Sequence, residues 1–293
     1  ADRLTELSGV TLGGSEHYTG ELNSETDPAT RVESVQEFLR WLTRGNFLFM
    51  GVKERDLSER ADQLVLSDRQ GSALGILAAT EGNDPTVLTG LELDNAREPK
   101  PLYVTKANSR STVHRHEYLD YIGVRDFDRS GAIVGEYVIL GLFSRQAYAL
   151  PAVETPIVRE RIAIMRRHLG YQPGSHSDKT LAGIIEDYPR LELLHAGLDE
   201  LTETFRGIMG LEERRTTRLF LRPDAFGRFV SATVFLPRDR YNTLVRQRLE
   251  KVFHEFLDIE SLDFDVYLST SSLARIFFRL RLSDPNVIPA VDV

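Results

Sequence analysis

The chain reads as an α+β protein: two antiparallel sheet units joined by helices. Three observations predict it. Between residues 46 and 144, six β-branched or aromatic segments are separated by polar turns. From 147 to 210 the apolar spacing turns helical. From 216 to 282 four strand-like segments enclose one amphipathic helix. At 293 residues the length suits two domains of ordinary size.

Residues 1–29 are polar, contain glycine and lack periodicity, so a tail or linker is expected. In "RVESVQEFLRWLTRG", Val32, Val35, Phe38, Leu39 and Leu42 share a helical face, Trp41 lies at its edge and Gly45 stands at the C-terminal cap. "NFLFMGVKERDL", "DQLVLSD" and "SALGILA" read as strands, and Thr80 to Pro101 as a long loop or short helix. "PLYVTKA", "YLDYIGVRDFD" and "AIVGEYVILGLFS" complete the set, the last two joined by the turn "DRSG". A helix followed by five or six antiparallel strands suggests a PAS- or profilin-like α+β domain over residues 30–146.

Residues 147–191 are expected to form a helical connector. "ETPIVRERIAIMRRHLG" ends at Gly170, and "SHSDKTLAGIIEDYP" opens on Ser and Asp caps and stops at Pro189. "LELLHAGLDELTETFRGIMG" reads as one helix to Gly210. Residues 192–285 form the second sheet unit, and 286–293 a tail. There "TTRLFLRPD" and "RFVSATVFLPRD" make a hairpin, with Val230, Ala232, Val234 and Leu236 on one face. "NTLVRQRLEKVFHEFL" is a helix expected to bury Val245, Leu249, Val252, Phe253 and Phe256. In the last two strands Leu262, Phe264, Val266, Leu268 and then Ile276, Phe278, Leu280 alternate with polar residues. The order αββαββ becomes βαββαβ when the last strand moves to the front. That is the ferredoxin-like arrangement of ACT regulatory domains, expected here as a permuted sheet with two helices on one face.

Composition narrows the function. No apolar run approaches the ~20 residues that span a bilayer, and "ADRLTELSGV" has no signal-peptide pattern. With no cysteine, disulfides and thiolate chemistry are excluded, which fits a cytoplasmic protein. The chain begins without Met and reads as a piece of a longer polypeptide. Its net charge is −8, and the excess acid lies in the first 100 residues, where 18 Asp and Glu face 10 Lys and Arg. The balanced remainder, without a long basic run, argues against a nucleic-acid surface.

Five motifs in order, "FLRWLTRGNFLFMGVKERDL", "KANSRSTVHRHEYLDYIGVRDFD", "VGEYVILGLFS", "SHSDKTLAGIIEDYPRLELL" and "RLFLRPDAFGRFVSATVFLPRDRYNTLVR", resemble the large bacterial NAD-specific glutamate dehydrogenases. The resemblance runs from about residue 30 to 285 and implies a PAS-like module plus one ACT-like module, the second, from the N-terminal regulatory half. It implies a homo-oligomeric parent that converts L-glutamate and NAD to 2-oxoglutarate, ammonia and NADH. NAD would belong to a separate catalytic domain, and no catalytic residue carries over to these positions. No Gly-rich turn opens a helix after a strand here, so no cofactor is expected in this segment.

Two polar groups are candidate sites. Lys106, Asn108, Ser109, Arg110, Ser111, Thr112, His114 and Arg115 could hold a carboxylate or phosphate, or could pair with acids of a neighbouring module. His114 and His116 form His-x-His, short of a third metal ligand. Arg222, Arg228, Arg238 and Arg240 could form an ACT-like interface or amino-acid effector site, or a solvated hairpin tip. Beside the alternating Arg275, Arg279 and Arg281, Phe277 and Tyr267 offer stacking aromatics but nothing glycine-rich accompanies them, so RNA binding is not expected and the arginines suit acids of a partner module or subunit. The expected function is a non-catalytic regulatory and assembly segment; the alternative is a stand-alone amino-acid or anion sensor.

Overall fold

The computed structural model describes residues 27–80, 82, 85–98, 100–112, 116–214, 216–224, 226–268 and 273–283. The chain divides into two compact units between Ile164 and Met165.

In the first unit a short turn, Pro28–Thr30, precedes helix α1, Val32–Trp41. The helix buries Val35, Phe38, Leu39 and Trp41, as its spacing predicts. It ends where Gly45 turns left-handed at φ +85°. Seven strands follow: β1 Phe47–Arg60, β2 Gln63–Asp68, β3 Leu74–Gly75, β4 Thr86–Val87, β5 Leu102–Arg110, β6 Tyr118–Phe127 and β7 Ile133–Phe143. The sheet order is β4-β2-β1-β7-β6-β5, with β3 on β1 and every pairing antiparallel. The segment expected to pair throughout "SALGILA" does so over two residues only. Gly75 approaches so closely that a Cβ would lie 2.1 Å from Met50 O, and Ala73 and Leu77 turn inward onto Leu119, Val138 and Leu142. Before β5 lies α2, Gly90–Arg97, in the stretch that reads as a long loop or short helix. Asp128 closes the "DRSG" turn by accepting from the Ser130 and Ala132 amides at 2.8 and 3.0 Å. The unit continues through α3, Arg145–Ala149, into α4, Val158–Leu169.

In the second unit α5 is His176–Asp187, capped by Ser175. The next helix, expected to be continuous, breaks at Ala196–Gly197 into α6, Glu192–His195, and α7, Leu198–Arg214. Strands β8 Arg218–Pro223 and β9 Phe229–Pro237, helix α8 Thr243–Phe256, and strands β10 Ile259–Leu268 and β11 Leu273–Leu282 complete it. The antiparallel order β10-β11-β9-β8 puts β11 between β9 and β10, which α8 connects. That is a split βαβ unit, as the permuted reading requires.

Helix placement differs from the expectation. Val245, Leu249 and Phe253 of α8 pack on the face carrying Val230, Ala232, Val234, Ile276 and Phe278. Helix α7 lies on the opposite face, where Gly207 meets the Phe220 ring. The two helices therefore do not share a face. All nine residues of β9 are buried, because both of its faces are covered. Val252 and Phe256, expected inside, stay exposed, because α8 covers only part of its side of the sheet.

Candidate functional site

A polar site lies in the second unit, between α5–α7 and the strands β8 and β9. Pro189 stops α5, and the chain re-enters a helical turn with Glu192 first. Its buried carboxylate receives both ends of the Arg222 guanidinium: Nε donates to Oε2 at 3.0 Å, and Nη2 donates to Oε2 at 2.8 Å and Oε1 at 3.0 Å. Ser231 Oγ donates to Oε1 at 2.9 Å, and His195 Nδ1 stands 3.6 Å away. Burial pushes the Glu192 carboxyl up, but Arg222 and His195 outweigh it and hold the group well below the usual carboxylate range. Burial, with the Glu192 charge, pushes the neighbouring Tyr188 phenol upward. The Tyr188 ring also lies 5.0 Å from that of Phe205 on α7.

Beside this pair opens a cleft of about 220 Å³. Tyr188, Thr204, Ser231 and Thr233 supply hydroxyls, Leu201 and Phe220 an apolar wall, and Glu200 and Glu203 further carboxylates. Arg222, the lining's cation, is already neutralised by Glu192. The arrangement clasps helix to sheet and leaves a small polar cleft. Among the described residues its lining holds no Lys, Cys or His.

A second polar cluster, in the first unit, was not anticipated. Glu136 of β7 is buried and accepts from Arg125 Nη1 at 3.0 Å, Tyr121 Oη at 2.9 Å, Arg55 Nη1 at 3.3 Å and Tyr103 Oη. Arg125 reaches on to Asn95 Oδ1 at 2.9 Å. Burial first, then the Glu136 charge, pushes the Tyr103 and Tyr121 phenols up. A lone Glu inside "VGEYVILGLF" is the signal that could have found it, since a buried carboxylate needs donors on the adjacent strands.

The predicted residues fall in several places. Lys106 points inward and pairs with buried Asp120 at 2.7 Å, also donating to Tyr118 O at 3.1 Å. It is thus enclosed by its own sheet rather than presented to a neighbouring module. Between Lys106 and Arg110 the register slips, leaving Asn108 and Ser109 exposed on a bulge. Arg110 lies 4.0 Å over the Tyr118 ring, Ser111 is buried with its amide on Glu117 O at 2.8 Å, and Thr112 is exposed. His114 and Arg115 lie outside the described residues; His116 is exposed. Among the described residues no group of three or more His, Cys, Asp or Glu could hold a metal.

Of the second group, only Arg222 enters the clasp. Arg228 lies 4.5 Å over Phe226, while Arg238 and Arg240 are exposed in the turn before α8. The arginine stripe of β11 meets its own unit: Arg281 pairs with Glu260 at 2.8 Å, Asp263 stands opposite Arg279, and Arg275 lies 4.9 Å over Tyr267. Tyr267 Oη donates to Asp187 Oδ1 at 2.9 Å. Among the described residues no helix is long and apolar enough to cross a membrane.

Residues 155–214 match the glutamate dehydrogenase helical motif 1, and residues 218–293 match the glutamate dehydrogenase ACT2 domain. The chain is homologous to NAD-specific glutamate dehydrogenases over nearly its whole length. It is 36% identical over 264 residues to that of Halomonas elongata and 33% over 262 to that of Pseudomonas aeruginosa, covering 89% and 88% of this chain. It is 31% identical over 267 residues to that of Mycobacterium tuberculosis. The chain spans 16% of the length of each of these relatives.

Proposed function

We propose that this chain is a non-catalytic regulatory and assembly segment of an NAD-dependent glutamate dehydrogenase. The parent would oxidise L-glutamate with NAD to 2-oxoglutarate, ammonia and NADH, holding NAD in a catalytic domain elsewhere in a cytoplasmic homo-oligomer. The observation that carries the reading is the Arg222–Glu192 clasp. It ties the matched ACT2 strands to the matched helical motif through a buried bidentate ion pair. A load on the sheet, from a neighbouring subunit or an effector, then reaches the helices directly. Such a load biases a distant site only by its different affinity for two arrangements of the protein. The first unit, a helix with five longer antiparallel strands in the order β2-β1-β7-β6-β5, is read as PAS-like on that order of elements.

The cleft beside the clasp favours a second reading, a stand-alone sensor of a small molecule. An anion or α-carboxylate suits it poorly, because Arg222 is already paired and Glu200 and Glu203 add negative charge. The test uses a full-length relative carrying Arg222→Met, with glutamate saturation measured by NADH formation. A shifted half-saturation or cooperativity supports a regulatory role. A fall in turnover with the saturation curve unmoved would place the pair in the chemistry instead.

A further inference from the structure

We infer that the chain entering α4 is a two-state turn, latched in a strained form by ion pairs to α1 and the turn before it. Ile157 adopts φ +67°, in the left-handed region that a β-branched side chain rarely enters. Val158 N donates to Pro156 O at 2.8 Å around it, closing a three-residue turn in its rare and strained form. The Ile157 side chain is buried, so packing holds the strain in place. A second defect lies two residues earlier. Thr155 Oγ1 is buried and has no hydrogen-bond partner among the described residues.

One rearrangement removes both defects. Thr155 and Pro156 have the chemistry of a helix start, threonine at the N-cap and proline at the first helical position. The Thr155 carbonyl already accepts from Arg159 N at 2.9 Å, as an N-cap carbonyl does. When Ile157 turns right-handed, α4 gains Pro156 and Ile157 as its first two residues. Val158 N, then at the third position, leaves Pro156 O and donates to Thr155 Oγ1. The orphaned hydroxyl gains a partner, and the isoleucine leaves the left-handed region.

The anchoring of α4 opposes that change. Its residues 159, 160 and 161 are each paired to the segment that carries α1. Arg159 Nη2 donates to Glu37 Oε2 at 2.7 Å, and Glu160 Oε2 accepts from Arg31 Nη2 at 2.5 Å and Ser34 Oγ at 3.0 Å. Arg161 donates to both oxygens of Asp27, at 2.9 and 3.0 Å. Successive helical residues point about 100° apart, so three such pairs fix the rotation of the first turn as well as its position. The strained form is the latched one, and the capped, longer helix is the released one. Thr155 is also the first residue of the matched helical motif. Regulation requires an element with two arrangements, and this turn supplies one at the edge of the motif. The turn itself stands whether or not the regulatory reading does.

The test uses this chain with 13C-labelled isoleucine methyls. Relaxation dispersion should show the Ile157 methyl exchanging on the μs–ms timescale. Thr155→Val removes the acceptor that only the released form uses, and should suppress the exchange. Arg31→Gln with Glu37→Gln, at solvent-accessible positions, should raise the minor population about threefold or more. Circular dichroism checks that the variants fold. Ile157→Gly and Ile157→Ala both remove the buried side chain but differ in tolerance of positive φ. The glycine variant should therefore unfold a few degrees above the alanine variant. Alanine the more stable of the two overturns the inference. So does exchange unchanged by Thr155→Val, or an Ile157 methyl without exchange in both the parent chain and the Arg31/Glu37 variant.

Discussion

The ring of Tyr103 lies across the backbone of Gly123, its partner on the next strand: a Cβ at Gly123 would stand 2.0 Å from Tyr103 Cζ. That bare stretch of backbone lets the phenol reach Glu136 on the far side of β6. Gly123→Ala should therefore displace the ring and cost about 2–3 kcal/mol. Urea denaturation of the variant reads this as a lower midpoint, and an unchanged midpoint would contradict the geometry.

The buried tyrosines of both polar sites predict an alkaline signature. The Tyr103, Tyr121 and Tyr188 phenols are held above their unfolded value of about 10. Because the folded values are raised, their contribution to stability is full below about pH 10 and is lost as pH rises through the folded values. In a spectrophotometric titration these three of the ten tyrosines should stay protonated until the chain unfolds. Ten tyrosines ionising together near pH 10 in a folded chain would exclude it.

The clasp predicts a strong coupling. Arg222→Leu leaves Glu192 buried without its cation and should cost on the order of 3–5 kcal/mol, while Arg222→Leu with Glu192→Leu should recover much of that. The Glu192 carboxyl is depressed in the fold, so its stabilisation is present above its unfolded value of about 4.3 and is lost as pH falls toward the folded value. Glu192→Gln should thus be most damaging near neutrality and converge on the parent chain in acid. A penalty independent of pH would refute the ion pair.

A local prediction concerns the β1–β2 turn, where Ala61 and Asp62 both adopt left-handed conformations at φ 49° and 61°. Asparagine tolerates that region better than alanine. Ala61→Asn should stabilise the first unit by about 0.5–1 kcal/mol, read as a Tm raised by a few degrees. A lowered Tm would mean that the turn is not built this way.

Much of the second sheet was legible, since Val230, Ala232, Val234 and Leu236 share a face by simple alternation. Its other face was not: Ser231 and Thr233, the polar residues between them, are buried under Glu192 and Tyr188. Alternation tells the two faces of a strand apart but not whether a distant helix returns to cover the polar one. Lys106 misled for a related reason. Its partner Asp120 is set by a register that slips at the following bulge, which no local pattern announces. Arg222 was singled out by its hairpin, but Glu192 sits thirty residues earlier, inside an apolar turn. Phe256 was counted as core because period alone cannot say how far the sheet extends beneath a helix.

The central claim, that this chain regulates or assembles an enzyme rather than being one, is tested most directly by NADH formation. The purified chain is mixed with L-glutamate and NAD, with a full-length relative as the positive control. Absorbance at the NADH band should stay at the blank for the chain while it rises for the full-length protein. A rise proportional to the concentration of the isolated chain would contradict the account.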